Sequence, residues 1–409
     1  MGLNLATKRL DADAQHSVFL SGNGPLVTVL REALALDYVE QKAATEQKVK
    51  KGDARRIVST FIQNIHHFRD DALRSEEAPG DHLVIFDEAQ RAWDRKQTSD
   101  FMRRKKGQPN FNESESGFLI SYLDRHVDWA VIVCLVGGGQ EIHKGEAGIS
   151  AWLDAARERF PSWRIHLSSK LTESEYKAEE AIGRLDGRAG VSYDSDLHLS
   201  TSMRSFRAER LSDLVRAILD LEVETARGCA HALSEKYPIV LTRDLSAAKA
   251  WIKQNARGTE RFGLVASSAA QRLKPHAIDV RVKIDPRHWF LKGRDDTRSS
   301  NYLEDAATEF QVQGLELDWS LVTWDADLRF QKGAWTYNEF KGSKWQTVGA
   351  TNPIRERYLL NAYRVLLTRA RQGMAIFIPP GDPDDHTRPP KFYNETFEYL
   401  SGLGLPTLP

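Results

Sequence analysis

The chain has 409 residues with 57 Lys+Arg balanced by 57 Asp+Glu, a formal net charge of +0, so a nucleic-acid partner would have to be held by local patches rather than by overall charge. Hydrophobic residues make up 41% and charged residues 28%, the composition of a soluble globular protein long enough for two or three cored domains. No apolar run approaches the length of a membrane span, residues 1–10 are too polar and short for a signal peptide, and the two cysteines, Cys134 and Cys229, have neither disulfide nor metal-ligand spacing. Buried free thiols and a cytoplasmic location are expected.

Residues 1–10 read as an amphipathic helix with Leu3, Leu5, Ala6 and Leu10 near one side. Residues 17–20 form a short strand, 21–25 a turn, and Pro25 opens a helix over 26–36. Gly22 and Gly24 lack both the third glycine of a dinucleotide fingerprint and a following Lys, so this turn is not read as a phosphate loop. Residues 39–59 are basic, and a solvated helix and turn explains them better than a nucleic-acid-facing insertion. Residues 60–73 have helical spacing; His66 and His67 point apart on such a helix, which argues against a metal pair.

His82-Leu83-Val84-Ile85-Phe86-Asp87-Glu88-Ala89-Gln90 is the most informative stretch. Its continuous apolar run predicts a strand buried on both faces of a parallel sheet, with two carboxylates at the carboxyl end, where open α/β sheets hold ligands. In a P-loop NTPase the first acid holds Mg²⁺ and the second orients or deprotonates an attacking water; a solvated acidic turn is the plainer alternative. A basic run at 103–106 follows, then a loop over 107–117 and a helix over 118–127. A second apolar strand, 130–136, ends in Gly137-Gly138-Gly139-Gln140, where glycines permit close backbone approach and Gln140 supplies an amide. A helix at 149–160 and a strand at 164–167 complete the first α/β set.

Residues 170–200 look like a connection. Ser202-Met203-Arg204 leads into a helix through 219, and strands at 237–241 and 261–266 flank a helix at 246–255, the rhythm of a second α/β domain. Residues 283–305 read as irregular. Gln313-Gly314-Leu315-Glu316 precedes a strand at 320–324, and Lys344 stands among Trp335, Tyr337 and Trp345 in a segment that could stack bases or pack a core. A helix over 354–370 carries Leu367-Thr368-Arg369-Ala370 at its end, and 374–378 is the last strand.

The order of these pieces resembles the motif series of superfamily one helicases. More closely, it is similar to the Schlafen group 3-type DNA/RNA helicase domain, over nearly the whole chain. That resemblance implies two RecA-like P-loop NTPase domains with parallel sheets covered by helices: residues 1–170, a connection at 171–200, and residues 201–409. It implies ATP and Mg²⁺ as cofactors, single-stranded DNA or RNA as partner, and movement on that strand coupled to hydrolysis. By resemblance, Asp87 is the Mg²⁺ ligand, Glu88 the catalytic base and Gln140 the γ-phosphate sensor. Arg204 and Arg369 are the arginines aimed at the γ-phosphate, and Gly314 and Glu316 the pair coupling nucleotide to strand. A plainer reading of Arg369 is charge complementarity with a helix C-terminus.

One departure is large: the sequence contains no Gly-Lys dipeptide, hence no Gly-x-x-x-x-Gly-Lys-Ser/Thr. In the family the phosphate loop precedes a helix like residues 2–10, so the first domain is expected to be N-terminally truncated and the chain inactive alone. An upstream domain or subunit would then supply the loop. The alternative is a non-catalytic nucleic-acid-binding or partner subunit that retains the helicase fold.

Overall fold

The computed structural model describes residues 2–3, 16–137, 148–172, 178–199, 206–348 and 353–408. It divides into two compact units, Met1–Thr201 and Ser202–Pro409. Both are α/β with parallel sheets covered by helices.

The first unit holds the strands β1 (His16–Ser21), β2 (Ile62–Asn64), β3 (Asp81–Asp87) and β4 (Val131–Cys134). They form one parallel sheet in the order β2-β1-β3-β4. Successive side chains on a strand alternate between faces, and here both faces are dry. Val18, Leu20, Val84 and Phe86 pack with Phe118, Leu119 and Trp152 on one side. Phe19, Ile62 and Ile85 pack with Val27, Val58 and Phe61 on the other. On that second face Gly2 lies so close that a Cβ there would stand 2.9 Å from the Leu135 side chain and 3.1 Å from those of Ile85 and Phe19. Of the expected first helix only Gly2 and Leu3 fall within the described residues, and both are helical.

Several boundaries differ from expectation, each for a local reason. The helix after β1 runs Gly24–Ala44, capped by Asn23, whose side chain accepts the Leu26 N–H. The helix expected over 60–73 is interrupted: Ile62–Asn64 leaves one helix at Phe61 to pair with the edge of β1, and Asn64 caps the next helix, Ile65–Arg74. The helix expected from 118 begins at Glu115, because Ser114 accepts the Gly117 N–H, and ends at Leu123. Residues 171–200 are no bare connection. Within them β6 (Val191–Asp194) pairs in parallel with β5 (Ile165–Ser168), and Ala178, Ala181, Ile182 and Leu185 are buried in the first unit's core.

In the second unit β7 (Ile239–Thr242), β8 (Phe262–Ala266), β9 (Ala306–Thr308), β10 (Leu317–Thr323) and β14 (Ala370–Phe377) make a parallel sheet ordered β7-β14-β10-β8-β9. The edge at β7 is covered by the C-terminal segment, where Leu241 N–H donates to Pro406 O (2.8 Å) and Leu241 O accepts the Leu408 N–H (2.7 Å). Residues 283–305, expected irregular, contain the helix Pro286–Leu291, and its Trp289 is 1% exposed. Gly263 makes room for that indole, since a Cβ there would stand 2.5 Å from it. β11 (Leu328–Gln331), β12 (Ala334–Lys341) and β13 (Lys344–Thr347) form a separate antiparallel sheet. Trp335, a candidate base-stacker, is 8% exposed and donates its indole N–H to Leu219 O, so it belongs to the core. Trp345 is half-buried with its N–H on Thr387 O; Tyr337 is half-buried and Lys344 exposed. Burial pushes the Cys134 thiol up to about 12, which leaves it unreactive.

Beyond the carboxyl end of β10 lies a buried polar knot. The Tyr363 hydroxyl donates to Asp327 (2.6 Å) and the Tyr393 hydroxyl to Asp325 (3.0 Å). Burial, and next the charge of Asp325, raise the Asp327 carboxyl to about 7. A carboxyl that holds its proton more tightly folded than unfolded stabilises the fold fully below about pH 4, and that contribution is lost as pH rises through about 7. Asp327→Asn keeps an acceptor for Tyr363 without the titration. Thermal melts at pH 4.5, 6 and 7.5 should therefore show a stability advantage of this variant over wild type that grows with pH; a pH-independent difference would contradict the assignment.

Candidate functional site

The chain order β1, β2, β3, β4 against the sheet order β2-β1-β3-β4 reverses direction between β1 and β3. A parallel sheet opens a crevice at the carboxyl ends of its strands where the order reverses. Ser21 and Asp87 are register partners at the ends of those two strands. Just beyond them lies a cavity of about 250 Å³ lined in part by Gly22, His66, Asp87, Glu88, Arg91 and Trp93.

Glu88 sits in the left-handed region at φ +53°, a conformation that costs a non-glycine residue energy unless its surroundings impose it. The surroundings here do so from four directions. Ala89 N–H donates to Leu135 O at the end of β4 (2.9 Å), and Gly148 N–H donates to Gln90 O (3.0 Å). The Trp152 indole donates to Ala89 O (2.8 Å). The buried Gln90 side chain donates its amide to the Glu88 carboxylate (2.6 Å) and accepts the Gly137 N–H (3.2 Å). Gln90 thus ties the orientation of Glu88 to the first residue of the glycine run after β4. Gln90 stood within the sequence motif, but only the fold shows what its amide holds. Trp152 had no sequence signal, being more than sixty residues away in the chain.

Asp87 is half-buried, and burial, then the neighbouring Glu88 charge, raise its carboxyl to about 6. Two adjacent carboxylates that repel each other in a partly desolvated place are an oxygen donor set suited to a hard cation such as Mg²⁺. Asp87 would hold the ion, and the donor chemistry fits it.

The floor beneath is a buried ion pair. Arg69 donates to Glu115 (2.8 Å), whose other oxygen accepts the Trp93 N–H (3.0 Å), and the guanidinium lies 4.5 Å from the Phe101 ring centroid. Both charged residues are nearly inaccessible. Burial raises the Glu115 carboxyl and Arg69 opposes that shift. His66 is pushed down to about 4 by burial and then by Arg69, so it is neutral at pH 7.

In the second unit the start of β10, just after Gly314 and Glu316, pairs with the start of β14, just after Arg369. Gly314 has φ +76°, which lets the chain turn from the short helix Glu309–Val312 toward β10. Leu317 N–H donates to Arg369 O (2.9 Å), and Glu316 lies 3.9 Å from Arg371. Arg369 is not on the helix, which ends at Leu367; it joins that helix to β14. It is 3% exposed, with its guanidinium against Val365 O and the Thr368 hydroxyl. Gln140 and Arg204 lie outside the described residues.

The basic runs carry their own counter-charges. Lys51 and Arg55 pair with Glu32, which Arg55's hydrogen bond chiefly pulls down to about 2. Arg103 and Arg104 pair with Asp100, and Lys106 with Asp70.

A parallel α/β unit with paired carboxylates at its switch point, followed by a second parallel unit, is a helicase-like arrangement. The sequence matches the family model for the Schlafen group 3, DNA/RNA helicase domain, over residues 1–380, and the chain belongs to that family. No curated protein matches it. Among solved structures it is similar to an S. cerevisiae Dbp5 variant bound to RNA and ADP BeF3 (10% identity, TM-score 0.28, covering 99% of this chain and 80% of that one). The Pyrococcus furiosus Hef helicase domain is also similar (11% identity, TM-score 0.25, 98% and 91% covered).

Removing Arg69 would strand a buried carboxylate, and breaking such a pair from one side costs about 3–5 kcal/mol. Urea unfolding of Arg69→Met should show a loss of that size, most of it recovered by adding Glu115→Gln; a loss below about 1 kcal/mol would show that the pair is not buried as described.

Proposed function

We propose that this chain is the motor core of a superfamily one-like DNA/RNA helicase or translocase whose nucleotide end is the Asp87–Glu88 turn. The observation that carries the reading is the position of those carboxylates at the β1/β3 switch point, with Glu88 held in a strained backbone conformation by Gln90, Leu135 and Trp152. ATP·Mg²⁺, when bound, supplies the phosphoanhydride to be cleaved and a cation that neutralises charge developing on its oxygens. Asp87 would hold the Mg²⁺. Glu88 would orient the attacking water and take its proton, and Gln90 keeps that carboxylate turned and reports its position to Gly137. Gln140 would sense the γ-phosphate. Arg204 and Arg369 would stabilise transferred-phosphate charge, for which planar guanidinium groups are suited. Gly314 and Glu316, just before the strand that pairs beside Arg369 in the second unit, would couple the nucleotide to the nucleic-acid strand.

The 409 residues contain no Gly-Lys pair, so a phosphate grip would come from a separate segment. The outer edge of β4 suits such a segment: among the described residues β4 pairs with β3 alone, and Val131 on it is 43% exposed. Without that segment the backbone cradle, the lysine charge and the Mg²⁺-holding hydroxyl are all missing, and losing one well-placed electrostatic group already costs about two to three orders of magnitude in rate. The missing motif also supports a second reading, a nucleic-acid-binding subunit that retains the fold without turnover. No helix among the described residues is long and apolar enough to cross a membrane.

Fluorescence anisotropy with labelled single-stranded DNA and RNA, together with phosphate release, tests both readings. The chain is expected to bind single strands with an affinity that falls steeply with salt, and to release no phosphate above background. Joined to a strand and phosphate loop, it is expected to turn over ATP, and Glu88→Gln to abolish that turnover while leaving ATP binding largely intact. Binding without any turnover in the joined chain would favour the second reading. Absence of strand binding at low salt would defeat both.

A further inference from the structure

At the opposite end of the same sheet stands a cluster that the nucleotide reading does not use. His82 is the second residue of β3, and His126 and Asp128 lie on the turn between the helix Glu115–Leu123 and β4. One ligand atom from each of the three residues can be chosen so that all lie within 4.8 Å of one another. The imidazole rings stack at 3.9 Å between centroids, tilted by 32°, and Trp129 covers the His82 ring at 4.6 Å.

Two features distinguish this cluster from a chance meeting of side chains. First, each imidazole already has one ring nitrogen on a backbone carbonyl: His82 Nδ1 on Trp129 O (2.7 Å) and His126 Nε2 on Asp81 O (3.3 Å). When those nitrogens carry the proton, the other nitrogen of each ring keeps its lone pair. A metal-binding histidine is held in this way, its second nitrogen donating to a carbonyl or carboxylate that fixes tautomer and orientation. Second, the turn is fixed from below. Arg125 donates to Ala72 O, Ser75 O and Glu77 O, so its guanidinium is committed there rather than to Asp128. The Asp128 side chain is 58% exposed; its carboxylate lies 3.8 Å from His82 Nδ1, the nitrogen held on Trp129 O, so a side-chain rotation has to turn it toward the lone pairs of His82 Nε2 and His126 Nδ1.

We propose that His82, His126 and Asp128 form a binding site for a divalent transition-metal ion of the Zn²⁺, Co²⁺ or Ni²⁺ type, clamping the start of β3 to the turn before β4. Two imidazoles and one carboxylate favour these ions over Mg²⁺ or Ca²⁺, which take oxygen ligands. Bonds of about 2.0–2.1 Å in a tetrahedral site bring ligand atoms to roughly 3.3 Å from one another. Binding therefore contracts the cluster, with Asp128 swinging in and the rings opening from their stack, and water fills the remaining position. The ion would tie together segments 44 residues apart in sequence, His82 and His126. It would sit at the amino-terminal edge of the sheet, away from the Asp87 end.

Isothermal titration of ZnCl₂ into the full chain tests the site, with Co²⁺ absorption as a second readout of nitrogen ligation. Wild type is expected to bind one equivalent at this site with a visible Co²⁺ band. His82→Ala and His126→Ala should each weaken it by roughly tenfold or more, and Asp128→Asn by several-fold. His67→Ala, which changes an exposed histidine outside the cluster, should leave the isotherm unchanged. Should the histidine variants unfold, Asp128→Asn alone decides, because its exposed side chain can be replaced without disturbing the core. No binding by wild type, or an isotherm unaltered by Asp128→Asn and by whichever histidine variants fold, overturns the proposal.

Discussion

The parallel pairing of β1 with β3, in register from Ser17–Leu83 to Ser21–Asp87, fixes where the acidic turn stands. Because both faces of that pair are buried, neither strand can slip by a residue without turning Val84 and Phe86 out of one core and Ile85 out of the other. The register therefore delivers Asp87 to the sheet edge in one orientation. What happens next depends on the turn. Glu88 takes a left-handed conformation, and the bonds from Ala89, Gln90, Gly148 and Trp152 impose it. The strain and the clamp belong together, since a carboxylate left to a flexible turn would have no fixed aim.

The second unit separates two kinds of buried polarity. At the amino-terminal edge of its sheet, the Leu317–Ala370 register of β10 and β14 sets the segment after Gly314 and Glu316 beside the backbone of Arg369. Beyond the carboxyl end of β10, the Asp325 and Asp327 carboxyls are enclosed with Tyr363 and Tyr393. The first unit's acidic turn stands at the carboxyl ends of its strands, where a parallel sheet opens a crevice, whereas Arg369 stands at the amino-terminal edge of its own sheet. That residue reaches its position because the helix stops at Leu367 and β14 begins three residues later.

Much of this was legible in the sequence where one physical signal dominated. The run at 82–86 predicted a buried strand with the carboxylates after it, and the run at 130–136 predicted a second strand; that one spans only Val131–Cys134 and is half-buried with Val131 exposed, because among the described residues it pairs on one side only. Legibility failed where tertiary partners overrode local spacing. Residues 60–73 have helical periodicity, yet Ile62 left the helix because the open edge of β1 offered backbone partners. Arg369 looked helical because Leu366, Leu367 and Ala370 continue the apolar spacing, while the pairing of Ala370 with Leu317 draws the chain into a strand instead. Trp335 could stack a base or pack a core by its sequence, and only the fold decides for the core, with the indole N–H on Leu219 O more than a hundred residues away. The metal-type cluster of His82, His126 and Asp128 had no linear spacing to reveal it, because β3 and the turn before β4 meet only in the folded sheet.

The most direct measurement is a crystal structure of the chain joined to a phosphate-loop segment and bound to Mg²⁺ and a nucleotide carrying a γ-phosphate mimic. The expected result is Mg²⁺ held at the end of β3 by Asp87, directly at about 2.1 Å or through one water. Glu88 should face the mimic and Gln90 should still bridge Glu88 to Gly137. A nucleotide bound elsewhere, with the Asp87–Glu88 turn facing only solvent, would contradict the assignment of this turn as the nucleotide end of the motor.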